Sequence, residues 1–117
     1  MSDGMFEIAY QGRSGAGSGV LVLMSGRVFG SDGGVLYDGT YQPSAAGRDF
    51  LDVQLRCTVP PGVSLVTGVP EQKMTYAFDI AAKFHSRSET QLKVDTPYGP
   101  VVATVRFLRD VPRDLAA

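Results

Sequence analysis

Gly12-Arg13-Ser14-Gly15-Ala16-Gly17-Ser18-Gly19 is the tract whose spacing most resembles a phosphate cradle, because backbone N–H groups approach an anion closely where side chains are absent. Such a loop also needs a helix amino terminus behind it. No Lys follows Gly17, and the next residues alternate as a strand does, so the tract is expected to be a flexible hairpin loop. His85 is the single imidazole. It stands in the polar stretch Lys83 to Ser88, where a turn and an exposed side chain are expected. A metal centre needs several ligands and no second His can supply one, so no metal is expected.

Nucleophilic catalysis by Ser or Cys requires a base held by an orienting group, and every such scheme in this chain passes through His85. Its nearest hydroxyls, Ser86 and Ser88, share its loop with no buried carboxylate in prospect. Paired-carboxylate chemistry would draw on Asp38, Asp52 and Asp79, but these fall on the wet phase of their strands or beside turns. Cys57 lies on an apolar strand face and is expected to fill core. The expectation is a non-enzymatic protein without a cofactor.

The elements that must position these residues are strands. Phe50 to Val59 alternates without a break, with Leu51, Val53, Leu55, Cys57 and Val59 on one side and Asp52, Gln54, Arg56 and Thr58 on the other. Met74 to Ala82 repeats the pattern, placing Met74, Tyr76, Phe78 and Ile80 together. Met5 to Gln11, Gly17 to Ser25, Arg27 to Ser31 and Val35 to Tyr41 form four consecutive antiparallel strands. Ser25-Gly26 supplies one turn, and Asp32-Gly33-Gly34 signals a type I′ hairpin. In Gly19 to Met24, Leu21 and Leu23 compete with Val20, Val22 and Met24 for the inner face. Thr90 to Asp95 and Val101 to Leu108 flank Thr96-Pro97-Tyr98-Gly99-Pro100 as another hairpin. Pro60-Pro61-Gly62 ends the fifth strand, and Val63 to Gln72 is either a loop or a single helical turn.

Eight strands with short turns and no helical crossover make an all-β, antiparallel, up-and-down sheet. Such a sheet exposes edges unless it closes, and eight strands enclose just enough room for packed side chains or one small ligand. An eight-stranded barrel is therefore expected, as a single domain over residues 1–117 with a loose tail from about residue 110. Phe6, Tyr10, Tyr37, Tyr41, Tyr76 and Phe78 recur on apolar phases and would point inward. They either interlock as core or leave a gap for a small apolar ligand, oriented by tyrosine hydroxyls.

The chain has 117 residues, 11 basic and 12 acidic, so no broad field draws nucleic acid or an anionic membrane. Arg106, Arg109 and Arg113 alternate with Asp110 and Asp114, which cancels any basic stripe. Hydrophobic residues at 44% and charged residues at 20% suit a globular fold, and 14 Gly with 7 Pro suit many tight turns. A lone Cys closes no intrachain disulfide, and the amino terminus lacks a basic and then apolar leader. The expected location is cytoplasmic. The longest apolar run, Val20 to Met24, falls far short of the ~20 residues a membrane helix needs.

Asp3-Gly4-Met5-Phe6-Glu7-Ile8, Gly17-Ser18-Gly19-Val20-Leu21-Val22, Gly26-Arg27-Val28-Phe29-Gly30 and Tyr37-Asp38-Gly39-Thr40-Tyr41 together resemble the amino-terminal pattern of the GrlR family. These are small bacterial proteins similar to the negative regulator of type III secretion genes. The resemblance covers the first ~45 residues, and it implies a lipocalin-like eight-stranded barrel that pairs as a homodimer in the cytoplasm. It also implies a regulator that works by protein contact, sequestering a transcription activator through an acidic run in the loop after the Tyr-x-Gly motif. The matching stretch here, Gln42 to Asp49, holds one acid and one base, so no binding residue carries over. The alternative is a barrel that holds a small apolar molecule.

Overall fold

The computed structural model describes residues 3–112. Alternating apolar and polar residues, broken by Gly and Pro turns, give eight strands: β1 (Gly4–Gly12), β2 (Gly15–Met24), β3 (Arg27–Ser31), β4 (Leu36–Pro43), β5 (Phe50–Val59), β6 (Tyr76–His85), β7 (Thr90–Thr96) and β8 (Gly99–Arg109). They form one antiparallel sheet in the order β6-β5-β4-β3-β2-β1-β8-β7. Every neighbouring pair is a sequential hairpin except β1 with β8, and that ladder, from Met5 opposite Arg109 to Gln11 opposite Val102, curls the meander into a barrel. The architecture is all-β, up-and-down and consistent with a lipocalin-like fold. Closure is nearly complete. β6 and β7 flank each other without a backbone ladder, joined at one end where His85 N–H donates to Thr90 Oγ1 at 2.9 Å.

One side of each strand faces the interior. Phe6, Leu21, Leu23, Val28, Tyr41, Leu51, Val53, Leu55, Phe84 and Val105 bury against one another, and Phe6 packs edge-on against Phe84 and Phe107 with ring centroids 5.3 and 5.6 Å apart. In β2 the leucines win the inner face. Leu21 and Leu23 are buried while Val20 and Met24 stay exposed, because register with β1 sets Leu21 opposite Phe6. Close packing of the curled sheet demands glycine at Gly39, where a Cβ would sit 1.8 Å from the Gln54 carbonyl oxygen.

The outer wall carries the expected acids. Asp38 pairs with Arg27 at 2.8 Å, Asp79 with Arg56 at 3.1 Å, and Asp52 with Lys83 at 3.8 Å. All three bridge adjacent strands in water and add little stability. Among the described residues no helix is long and apolar enough to cross a membrane.

Several local expectations are corrected. The Gly12 to Gly19 tract is no loop: β1 and β2 run through it to a two-residue turn at Arg13-Ser14, with Gly12 opposite Gly15 and Tyr10 opposite Gly17. Period-two alternation is invisible where small residues fill both faces. The turn from Asp32 to Val35 is not type I′, since Gly33 alone takes a positive φ there, 90°, and the Asp32 side chain ties the turn from within. Positive φ at two successive central residues, 53° and 83°, occurs instead at Ser25 and Gly26. Met74 precedes β6 and is 79% exposed. His85 ends β6 and is half-buried; its Nδ1 accepts the Arg87 and Ser88 amides, and its ring meets Phe50 edge-on.

The last hairpin is tighter than its prolines suggest. Thr96 pairs with Gly99 across Pro97-Tyr98, and Pro100 lies within β8 beyond its last β1 partner, where the missing N–H interrupts no β1 ladder. Residues 60–75 form a connection with no helical turn, folded by its own Leu65 N–H to Val69 C=O and Gly68 N–H to Leu65 C=O bonds. Of the expected tail, Asp110 pairs with Arg87 at 3.1 Å, and Arg113 and Asp114 lie outside the described residues.

Candidate functional site

Alternate connections gather at opposite ends of the barrel. The β2–β3, β4–β5 and β6–β7 turns close one end, where Asp3 Oδ1 accepts both the Ser25 amide and the Tyr41 hydroxyl. That end is full. Burial, with the hydrogen bond to Asp3, pushes the Tyr41 phenol up to about 12.

At the other end, the β1–β2, β3–β4 and β7–β8 turns surround a cavity of about 360 Å³, inside the range of small-molecule sites. Its walls are mostly aliphatic, with Ile8, Leu21 and Leu55 among them, and Cys57 and Phe78 beside these. The β5–β6 connection crosses this end as a strap, and Val63 to Thr67 roof the space. Two bonds tie the strap to the β1–β2 turn: Ser14 N–H donates to the Val66 carbonyl at 2.8 Å, and Arg13 Nε donates to the Thr67 carbonyl at 2.9 Å.

One polar cluster interrupts the apolar lining. Asp32 Oδ1 accepts the amides of Gly34 at 2.9 Å and Val35 at 2.7 Å, which fixes the carboxylate by closing the β3–β4 turn. Its Oδ2 accepts the Tyr37 hydroxyl at 2.9 Å and the Tyr10 hydroxyl as well. Burial raises both phenols well above their ordinary range, and the neighbouring carboxylate raises them further by opposing a second negative charge. Both stay protonated donors at neutral pH. Burial also pushes the Cys57 thiol up to about 12, so it stands in the wall as an inert S–H. Thr67 is 6% exposed and its Oγ1 has no partner.

The six aromatics read as inward-facing divide between the two ends. Tyr10, Tyr37 and Phe78 line the cavity. Phe6 and Tyr41 belong to the filled core, since their strands carry them toward the closed end. Tyr76 packs on the smaller cluster of Val35, Cys57 and Val59 and meets the Tyr98 ring edge-on, outside the cavity lining. Sequence reasoning missed Asp32, Thr67 and the strap. Asp32 precedes two glycines, a signature that a simple turn explains completely, and only the cross-strand reach of Tyr10 and Tyr37 marks it out.

Nothing in this arrangement assembles a nucleophile, base and orienting group. His85 sits at the closed end beside the β6–β7 turn, away from the Asp32 cluster, and no group of three or more metal-ligating side chains occurs among the described residues. The arrangement is an apolar space with one polar corner. No known protein-family profile and no curated protein matches the chain.

Proposed function

We propose that the protein is a non-enzymatic binding barrel whose strapped end takes a small apolar molecule. The observation that carries this reading is the cavity itself, with an aliphatic wall on one side and a fixed tyrosine-carboxylate cluster on the other. Filling such a space with side chains would stabilise the fold, since unfilled apolar volume costs roughly 24 cal/mol per Å³ in cores. A chain that keeps it open while packing the opposite end tightly has room for a ligand. Native mass spectrometry of protein purified from its source cell tests the reading. A reproducible mass increment lost on denaturation supports it, and a bare chain mass across independent preparations overturns it.

A second reading is a protein-contact regulator of the kind the amino-terminal resemblance implies, acting in the cytoplasm as a homodimer. It is favoured by an apolar strip on the outer wall, where Val20, Met24 and Phe29 are exposed together and Val22 faces Phe29 across the β2–β3 ladder. Arg27 and Asp38, paired with each other at its border, bring both signs of charge to the rim, which a self-complementary two-fold contact could exchange. Sedimentation at micromolar concentration decides it: a dimer dispersed by Phe29→Asp supports the reading, and a monomer overturns it.

A further inference from the structure

The polar corner of the cavity has an unequal balance of donors and acceptors. Asp32 receives four hydrogen bonds, two on each oxygen, and its accepting capacity is used up. Tyr10 and Tyr37 each own one hydroxyl proton and both give it to Asp32. What the pair can still offer an occupant is oxygen lone pairs alone. No Lys, Arg or His lines the space, and Asp32 is its only charged residue among those described.

We propose, resting on the ligand reading above, that this cavity selects molecules whose polar group donates a hydrogen bond, an alcohol or an amine on an apolar body, and rejects carboxylates. A donor head finds the tyrosine oxygens and lies beside a carboxylate that favours positive charge. An anionic head would lose its water shell, find no free donor in this corner and face a fixed negative charge. The thiol of Cys57, held protonated by burial, adds apolar wall and no charge.

The test uses four probes that share a naphthalene body: naphthalenemethanol, naphthylmethylamine, methylnaphthalene and naphthoate. Their dissociation constants for the full chain are measured by probe fluorescence at neutral pH. The alcohol and amine are expected to bind at least about tenfold more tightly than naphthoate, with methylnaphthalene between them. Asp32→Asn, which keeps an oxygen for the turn amides and removes the charge, is expected to narrow the gap between amine and naphthoate at least about threefold. If that variant does not fold, Tyr37→Phe replaces it: freeing one Asp32 lone pair should tighten the amine and leave naphthoate unchanged. Binding of all four within about threefold, or naphthoate binding best, overturns the selectivity while leaving the ligand reading intact. Failure of all four, methylnaphthalene included, overturns both.

Discussion

A Cβ placed on Gly17 would lie 2.6 Å from the Tyr10 hydroxyl oxygen, directly across the β1–β2 ladder. The absence of a side chain at Gly17 is what lets the Tyr10 ring lie over β2 and reach Asp32. Two residues that look like loop filler and core aromatic are thus one device.

Gly17→Ala should therefore displace the Tyr10 ring and break its bond to Asp32, costing about 1–3 kcal/mol in urea unfolding. The same substitution in a Tyr10→Leu background, where no ring occupies the space, should be close to neutral. A cost that is equal in both backgrounds would show that Gly17 serves the strand and not the tyrosine.

The tyrosines also set the alkaline limit of stability. Tyr10, Tyr37 and Tyr41 are all harder to ionise folded than unfolded, Tyr41 by a rise to about 12. Above pH ~10 the unfolded chain releases protons that the folded chain keeps, so the unfolded state gains and stability falls as pH rises. Below that pH their contribution is fully present. Urea midpoints should hold from neutral pH to about 8, ease from about 9 as the unfolded Cys57 thiol ionises while burial holds the folded one up to about 12, and drop further through 10 to 12, and Tyr37→Phe should flatten the part of the drop above 10. A midpoint that rises over that interval would contradict the assigned direction.

Cavity and core separate under substitution at Ala103, a buried position on β8 that lines the open space. Ala103→Leu adds volume where there is room, so stability should hold or rise by about 0.5–2 kcal/mol while occupancy is lost. Leu23→Ala, in the filled end, should cost about 2–5 kcal/mol and leave occupancy in place at temperatures where the variant is folded. Paired thermal melts and naphthalenemethanol binding check both. A loss of stability in Ala103→Leu would mean that the space is already collapsed in solution.

Strand alternation made most of the barrel legible. Leu51 to Val59 and Tyr76 to Ile80 announce their inner faces because each second residue must leave water, and the structure keeps both phases. Gly19 to Met24 did not, since Val and Leu bury equally well, and the choice came from the pairing of Leu21 with Phe6. The candidate site was half visible. Tyr10, Tyr37 and Phe78 stand on apolar phases, but which end of the barrel each occupies depends on register between strands far apart in sequence. Asp32 joins β1 to β4 through contacts 22 and 5 residues away, one long and one local, and a periodic pattern encodes neither. The strap was opaque because Val63 to Thr67 is held by single hydrogen bonds and roof contacts, not by repeating structure.

That weak tethering makes the strap the part of the molecule most sensitive to one side chain. Arg13 grips the Thr67 carbonyl through Nε, while the other tie, Ser14 N–H to Val66 C=O, involves backbone alone. Arg13→Ala removes one of two ties and should cost about 1 kcal/mol locally, which speeds amide exchange at Leu65 and Gly68 roughly fivefold without moving the global unfolding midpoint. Those two amides donate within the strap, so they exchange only when it opens. Faster exchange should be matched by faster release of a bound naphthalenemethanol probe, because the roof of the cavity is the segment set free. Exchange that stays at the wild-type rate would place the hold on the strap in its packing, the Val63 side chain against Gly34 and the Val66 backbone against Gly12, and Val63→Ser would then be the substitution that opens it.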